Sequence, residues 1–336
     1  MQLGAGMWAQ AAAAAGSLLA ATATVLALDN EDRVSIPRGL CLTALGFVFF
    51  PSLFSLSNNI GLRTPLGDRL RQKYSLSVGD VMDINNKLVS AVQALLCVVT
   101  GAVVCLYSCS RDVVRTSHYM SEAYAWFGAA YFFYDIWSMY TVYVQQCFDK
   151  STANQNGPPP SSPRGDDRAP PPPPSFLAYC RHDPVILLHH VFIGGFGFAV
   201  IVHLRGDLGD CVFGFAYLME LSTPFVSLRG VLSRVRQKSS PLYVVNGLVM
   251  LATFCVCRVL ALPAAQWLYA RHTQMNYFDS IASLPRGCKI SICILLLPQL
   301  YWFYLMSRGA VKVLFETTPA VADSKVEKEE NKPKRS

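Results

Sequence analysis

Blocks of about 20 apolar residues, separated by short polar connections, recur along the chain from residue 39 to residue 307. A helix with a rise of ~1.5 Å per residue needs roughly 20 such residues to cross a hydrocarbon core ~30 Å thick. Seven windows reach or nearly reach this length: residues 39–57, 86–107, 122–147, 184–204, 209–228, 242–262 and 287–307. The pattern therefore predicts an all-α fold, a polytopic transmembrane helical bundle with a seven-span core.

The N-terminal region contains one further hydrophobic segment. Residues 8–28 are rich in Ala, which barely favours lipid, and no Lys or Arg precedes them. The segment is either an eighth span or a weak leader. We accordingly divide the chain into an extension over residues 1–38, a transmembrane domain over 39–315 and a basic tail over 316–336.

Composition supports the membrane assignment. Hydrophobic residues make up 52% of the chain and charged residues 15%, whereas charged residues in soluble domains run near ~25%. The net charge of +7 is not accompanied by a basic helix or a zinc-ligand pattern, so we expect no nucleic-acid partner. Nineteen Lys and Arg fall in one alternating set of connections and seven in the other. Because cytoplasmic loops hold the excess, the C-terminus is predicted to be cytoplasmic.

Two cytoplasmic segments have distinctive compositions. The loop over residues 150–181 contains a Pro-rich run that predicts an extended linker. Pro160 and Pro163 form a PxxP, which is either part of a spacer or a weak SH3 ligand. Residues 332–336, KPKRS, have the KxKxx form of a dilysine retrieval signal for the endoplasmic reticulum, with a merely basic tail as the alternative.

Ionisable residues inside the apolar windows are the main candidates for a site. They are His189, His190, Glu220, Asp135 and Arg258, and each costs on the order of 2.5–3.5 kcal/mol to place in a membrane. Helical rise places the histidines about 8–9 Å and Glu220 roughly 12 Å from the cytoplasmic ends of adjacent spans. We therefore expect them to face each other.

A histidine oriented by Glu220 would be an acid–base unit suited to acyl transfer, and a purely structural pair is the alternative. Asp135, beside Tyr131, is expected either to tie helices together or to line the substrate cavity with Arg258. An Arg258–Asp135 ion pair is expected because both lie deeper in the membrane.

A metal centre is not expected. Neighbouring His189 and His190 point ~100° apart on a helix, and Ile186 stands where an HxxHH box would have its first histidine. The eleven cysteines include no CxxC pair and most lie in apolar windows, so free thiols are expected. Cys109, Cys147 and Cys180 lie near membrane ends and are candidates for palmitoylation.

The motifs YFFYDIWSMY, HDPVILLHH, RGDLGD, MELSTPFVSL, VNGLVMLATFCVCRVLALP and PQLYWFYLMSRG together resemble the TLC domain over about residues 40–315. This domain is shared by ceramide synthases, translocon-associated chain proteins and lipid-regulating membrane proteins. The sequence looks most similar to the small TLC domain-containing branch. It departs from the synthases around Glu220, where Tyr217 and Ser222 replace their paired aspartates.

The resemblance implies a membrane protein of lipid metabolism in the endoplasmic reticulum, with the Golgi or plasma membrane as alternatives. The implied enzyme is an N-acyltransferase that joins acyl-CoA, as co-substrate, to a sphingoid base, with catalytic His189, His190 and Glu220. No cofactor is expected. Membrane lipids are the expected partners, and a homo-oligomer is compatible with the sequence. The alternative is a non-enzymatic, lipid-binding regulator of membrane lipid composition.

Overall fold

A computed structural model describes residues 4–155, 172–206 and 208–316 of the chain. Within these residues it contains helices and their connections only. The PxxP prolines Pro160 and Pro163 and the basic signal at 332–336 lie outside the described residues. The predicted all-α bundle is confirmed.

In chain order the helices are α1 (Ala5–Val25), α2 (Ile36–Arg63), α3 (Pro65–Tyr74), α4 (Val78–Ser108), α5 (Tyr119–Gln155), α6 (Phe176–His182), α7 (Pro184–Val191), α8 (Cys211–Leu218), α9 (Thr223–Arg234), α10 (Pro241–Phe254), α11 (Ala261–His272), α12 (Tyr277–Ser283) and α13 (Arg286–Glu316).

Six helical segments in the described part of the chain are long and apolar enough to cross a membrane. They are Ile36–Arg63, Val78–Ser108, Pro184–Leu204, Cys211–Arg234, Pro241–His272 and Arg286–Lys312. Each contains or overlaps one of the predicted windows. The seventh window, residues 122–147, falls within α5.

Helix α5 is the longest helix, with 37 residues, and it packs against α2 and α4. Most of its residues from Ser121 to Tyr131 are buried. Its tyrosines and Asp135 lower its hydropathy, which is consistent with a helix that contacts other helices rather than lipid along much of its length. The seventh predicted window is therefore helical, but α5 is not among the six described helices that are apolar enough to cross a membrane.

Three of the spans change helical geometry along their length. α7 continues as π-helical turns over Phe192–Gly197 and Val200–Leu204, a 3₁₀ turn over Met219–Ser222 joins α8 to α9, and a π-helical turn over Cys255–Val259 joins α10 to α11. Prolines account for two of these changes. Pro224 has no N–H to donate to the carbonyl of Glu220, and Pro263 has none for that of Val259.

Aromatic side chains and glycines form the contact between α2 and α5. Phe50 is fully buried and its ring packs against Phe127 and Tyr131. Gly39 lies beneath the Trp126 ring, and a Cβ at Gly46 would lie 2.5 Å from the carbonyl oxygen of Phe127. Small residues thus let the two helices approach closely, as in other membrane bundles.

A disulfide joins Cys109, at the end of α4, to Cys211, at the start of α8. The expectation that both cysteines are free thiols, with Cys109 available for palmitoylation, is therefore wrong. No spacing pattern indicated this pairing, because the two cysteines are 102 positions apart and meet only through helix packing. Cys147 and Cys180 remain free thiols.

Candidate functional site

The helix irregularities coincide with the ionisable residues. Glu220 lies in the 3₁₀ turn that precedes Pro224, and Arg258 lies in the π-helical turn after α10. His189 and His190 lie in the last turn of α7, which a π-helical turn follows. Such turns rotate side chains relative to a regular helix and recur at functional sites.

His190 and Asp135 form a buried pair between α7 and α5. Nε2 of His190 lies 2.8 Å from Oδ2 of Asp135. Nδ1 of His190 lies 2.7 Å from the carbonyl oxygen of Ile186, one turn earlier on its own helix. Both ring nitrogens of His190 are therefore engaged.

These contacts restrict what His190 can do chemically. The carbonyl oxygen of Ile186 can only accept a hydrogen bond, so Nδ1 of His190 must carry a hydrogen. A second proton is then shared between Nε2 of His190 and the carboxylate of Asp135, so neither ring nitrogen has a free lone pair. His190 is thus a fixed, charge-paired group rather than a residue available to attack or deprotonate a substrate.

Asn86 on α4 completes the surroundings of Asp135. Its Nδ2 donates to Oδ1 of Asp135 at 3.2 Å. Its Oδ1 accepts hydrogen bonds from the hydroxyl of Tyr134 at 3.1 Å and from Ser138 at 2.7 Å. The carboxylate is therefore oriented by a buried network, which is the arrangement required of polar groups in a membrane interior.

The same face of α4 continues this network. Ser90 accepts a hydrogen bond from the hydroxyl of Tyr131 at 3.0 Å, and Gln93 donates to that of Tyr124 at 3.0 Å. Asn86 was missed at the level of sequence. Its spacing from Ser90 and Gln93 is that of one helix face, and this periodicity was the signal that would have identified it.

Glu220 belongs to a second polar cluster. Its Oε1 lies 3.1 Å from a terminal nitrogen of Arg258, and its Oε2 accepts a hydrogen bond from Thr223 at 2.6 Å. Arg258 also donates to Ser222 at 2.8 Å and to Gln299 at 3.4 Å. The expected Arg258–Asp135 pair is therefore wrong, since Arg258 pairs with Glu220.

The acid that orients a histidine is likewise Asp135 and not Glu220. Helical rise placed the histidines and Glu220 at similar depths, but depth alone does not determine which faces meet. Glu220 does remain near both imidazoles, since its carboxylate interacts electrostatically with each of them.

His189 differs from its neighbour because neither of its ring nitrogens has a hydrogen bond within the described residues. Its ring is half-buried and lies edge-on to the indole of Trp302, with centroids 5.6 Å apart. It faces α13, whereas His190 faces α5. His189 is therefore the histidine with nitrogens available to a ligand.

The residues expected to line a cavity are tightly enclosed. Tyr131, Asp135 and Arg258 are each more than nine-tenths buried and hydrogen-bonded to neighbouring helices. The described residues contain no group of three or more His, Cys, Asp or Glu side chains that could hold a metal ion.

A third polar cluster lies beside the disulfide and was missed at the level of sequence. Arg205 forms ion pairs with Asp210 and Glu122, the latter at 2.9 Å, and Arg33 also pairs with Glu122. The backbone N–H of His118 donates to Asp210 at 2.8 Å. These contacts tie the connections at one end of the bundle together, whereas the histidine pair lies near the opposite end of the segment Pro184–Leu204.

A family model described as the TLC domain matches residues 83–308. The match includes α5, both histidines, Glu220 and Arg258. It begins within α4, just before Asn86, and ends within α13, so it includes the residues of α5 and α13 that contact the histidine pair.

Proposed function

Because the chain belongs to the TLC-domain family, whose members are lipid-related membrane proteins, we propose that it is an N-acyltransferase of the ceramide synthase type. The substrates would be an acyl-CoA and a sphingoid base. The observation that carries the proposal is the contrast within the histidine pair. His190 is fixed by Asp135 and Ile186, whereas His189 has both ring nitrogens free of hydrogen bonds in the described structure.

In this proposal His189 acts as base or as acyl acceptor. As acceptor, its neutral nitrogen attacks the thioester carbonyl, a C–N bond forms and the C–S bond breaks. Coenzyme A leaves as the thiol with the imidazole proton. The neutral amine then attacks the acyl-imidazole, the amide C–N bond forms and the bond from the acyl carbon to the imidazole breaks. The amine proton passes to the imidazole, which regenerates neutral His189.

The neighbouring groups would have positioning roles. The His190–Asp135 pair would hold the end of α7, and with it His189, against α13. Glu220 would stabilise positive charge that develops on His189, while Arg258 holds Glu220 in place by the 3.1 Å ion pair.

The test uses purified full-length protein with a sphingoid base and labelled acyl-CoA of several chain lengths. His189→Ala is expected to reduce amide formation by roughly 10²-fold or more. His203→Ala is the matched control, because His203 is an exposed histidine of the same span, remote from the site. Amide formation that survives His189→Ala contradicts the proposed role. Incubation with labelled acyl-CoA but without the amine separates the two roles. A labelled acyl group trapped on His189 would identify it as the acyl acceptor rather than the base.

A second candidate is a lipid-binding regulator that catalyses no reaction. One observation favours it: the carboxylate of Glu220 is paired with Arg258, so no acid is hydrogen-bonded to His189 in the described structure. Absence of product at every chain length, from protein that still binds a sphingoid base, would support this candidate.

We also propose an orientation and a location. A disulfide persists in an oxidising compartment, so the end with Cys109 and Cys211 would face the lumen and the C-terminus the cytoplasm. The proposed location is the endoplasmic reticulum, with the Golgi and plasma membrane as alternatives. A C-terminal epitope should bind antibody after selective permeabilisation of the plasma membrane. An epitope reached only after the internal membranes are opened contradicts the orientation.

A further inference from the structure

A cleft of about 280 Å³ lies between α10 and α13, at the end of the bundle opposite the disulfide. Most of its wall is apolar or glycine. The wall includes Gly247, Met250, Leu305, Met306 and Gly309. Leu248 and Leu305 are about two-fifths exposed, so the cleft is open towards the surface that a bilayer would cover.

One charged side chain, Arg229 of α9, enters this apolar cleft. Its guanidinium carbon lies 4.3 Å from the centroid of the Tyr243 ring. A Cβ at Gly247 would lie 2.5 Å from Nη1 of Arg229. The glycine therefore leaves the space that the guanidinium occupies, and the aromatic ring supports its face.

Arg229 lacks an acidic partner among the described residues, in contrast to Arg234 and Arg258. Arg234, five positions later on the same helix, pairs with Asp80 and Asp83, and Arg258 pairs with Glu220. A half-buried cation in an apolar cleft is costly unless an anion accompanies it. The planar guanidinium is suited to phosphate, which it binds through two parallel N–H donors.

The depth of Arg229 indicates the source of that phosphate. It lies five residues before the last residue of α9, or about 8 Å along the helix axis. This is close to the level of lipid headgroups, with the apolar wall extending from there along α10 and α13. Basic groups between membrane helices on the cytoplasmic side recognise acidic lipid headgroups.

We propose that the cleft between α10 and α13 binds an anionic phospholipid, with its phosphate at Arg229 and an acyl chain against Met250, Leu305 and Met306. The site is separate from His189 and does not depend on the proposed acyl transfer. The lipid would enter sideways from the membrane past Leu248 and Leu305.

The experiment is native mass spectrometry of the full-length protein, titrated in detergent with phosphatidylserine or phosphatidylcholine. The wild-type protein is expected to prefer phosphatidylserine. Arg229→Gln should weaken its binding about tenfold, the value of one charge-assisted contact. Lys238→Gln is the matched control, because this exposed lysine lies at the same end of the bundle and outside the cleft.

Two glycine variants test the geometry without removing charge. Gly247→Ala should displace the guanidinium and weaken phosphatidylserine binding to a similar extent. Gly309→Leu should fill the cleft, since open space surrounds that position, and Gly287→Leu on the same helix is its control. If Arg229→Gln does not fold, loss of lipid in Gly309→Leu but not in Gly287→Leu still supports the site.

Several outcomes would overturn the proposal. These are equal losses in Arg229→Gln and Lys238→Gln, equal binding of the two lipids, or unchanged binding in Gly309→Leu. Displacement of the lipid by millimolar inorganic phosphate would identify a site for free phosphate. Displacement by coenzyme A would instead assign Arg229 to a thioester substrate.

Discussion

His190 and Asp135 lie 55 positions apart in the chain, yet Nε2 of His190 is 2.8 Å from Oδ2 of Asp135 and both residues are buried. The contact fixes the end of α7 against α5. It also satisfies two ionisable groups that would otherwise be isolated in a low-dielectric interior, where the loss of either partner is costly.

Asp135→Asn is therefore expected to lower the free energy of unfolding by about 3 kcal/mol, because it removes the charge that His190 needs. Denaturant unfolding in detergent measures this, with the exposed Asp279→Asn as control. In a double-mutant cycle with His190→Gln, the two changes should be non-additive by more than about 1 kcal/mol. Strict additivity would show that the pair is not coupled.

Cys109→Ser is expected to destabilise the protein by about 2–4 kcal/mol, because the 102-residue loop is no longer closed. Cys41→Ser, at an exposed free cysteine, should have little effect. Denatured wild-type protein should bind two more maleimide-PEG groups after reduction than it binds without reductant. The same number of labels with and without reductant would exclude the disulfide.

Gly46→Ala is expected to cost about 1–3 kcal/mol, because the new Cβ would press on the backbone of α5 at Phe127. Gly16→Ala in α1 meets no atom within 4 Å and should be neutral or slightly stabilising. Thermal unfolding of both variants measures the difference. Equal midpoints would argue against the close approach of α2 and α5.

Stability is expected to decrease as the pH falls below ~6.5, in part through His118. Burial in the connection before α5 lowers the pKa of this imidazole, and its Nδ1 accepts a hydrogen bond from the N–H of Met120 at 3.2 Å. The unfolded chain takes up a proton near pH 6.5 that the folded chain does not bind, so the stabilising contribution is complete above that pH and declines below it.

The measurement is the thermal midpoint at pH 7.5 and 5.5. His118→Gln keeps a neutral acceptor, and the midpoint of this variant should fall less than that of the wild-type protein between the two values. If the thermal midpoint of His118→Gln falls between pH 7.5 and 5.5 by as much as that of the wild-type protein, the pH dependence comes from other groups.

The spans and their order could be predicted from sequence because lipid imposes length and apolarity on each helix separately. The start of α7 at Pro184 coincides with the start of the predicted window 184–204, as expected for a proline at the first position of a helix. Contacts between helices depend on rotation about each axis, which length and depth do not determine. For this reason Asp135 and Glu220 were matched to the wrong partners.

Irregular helical turns are the second reason that the contacts of the site could not be predicted from sequence. The 3₁₀ turn at Glu220 and the π-helical turn at Arg258 change the direction in which these two side chains point, compared with a regular helix. The prolines at 224 and 263 indicate a break, but not the direction in which the side chains turn. The repeat of Asn86, Ser90 and Gln93 was readable in the sequence, since it has the period of one helix face.

The disulfide joins the end of α4 covalently to the start of α8, whereas the other end of the same two spans is held by ion pairs from Arg234 of α9 to Asp80 and Asp83 of α4. The two ends therefore differ in kind, since salt weakens a partly exposed ion pair but not a covalent bond. His190 lies near the beginning of the segment Pro184–Leu204 and Asn86 near the beginning of α4, both towards the ion-paired end. Separation of the two spans at that end therefore requires only that ion pairs break, without any change in redox state.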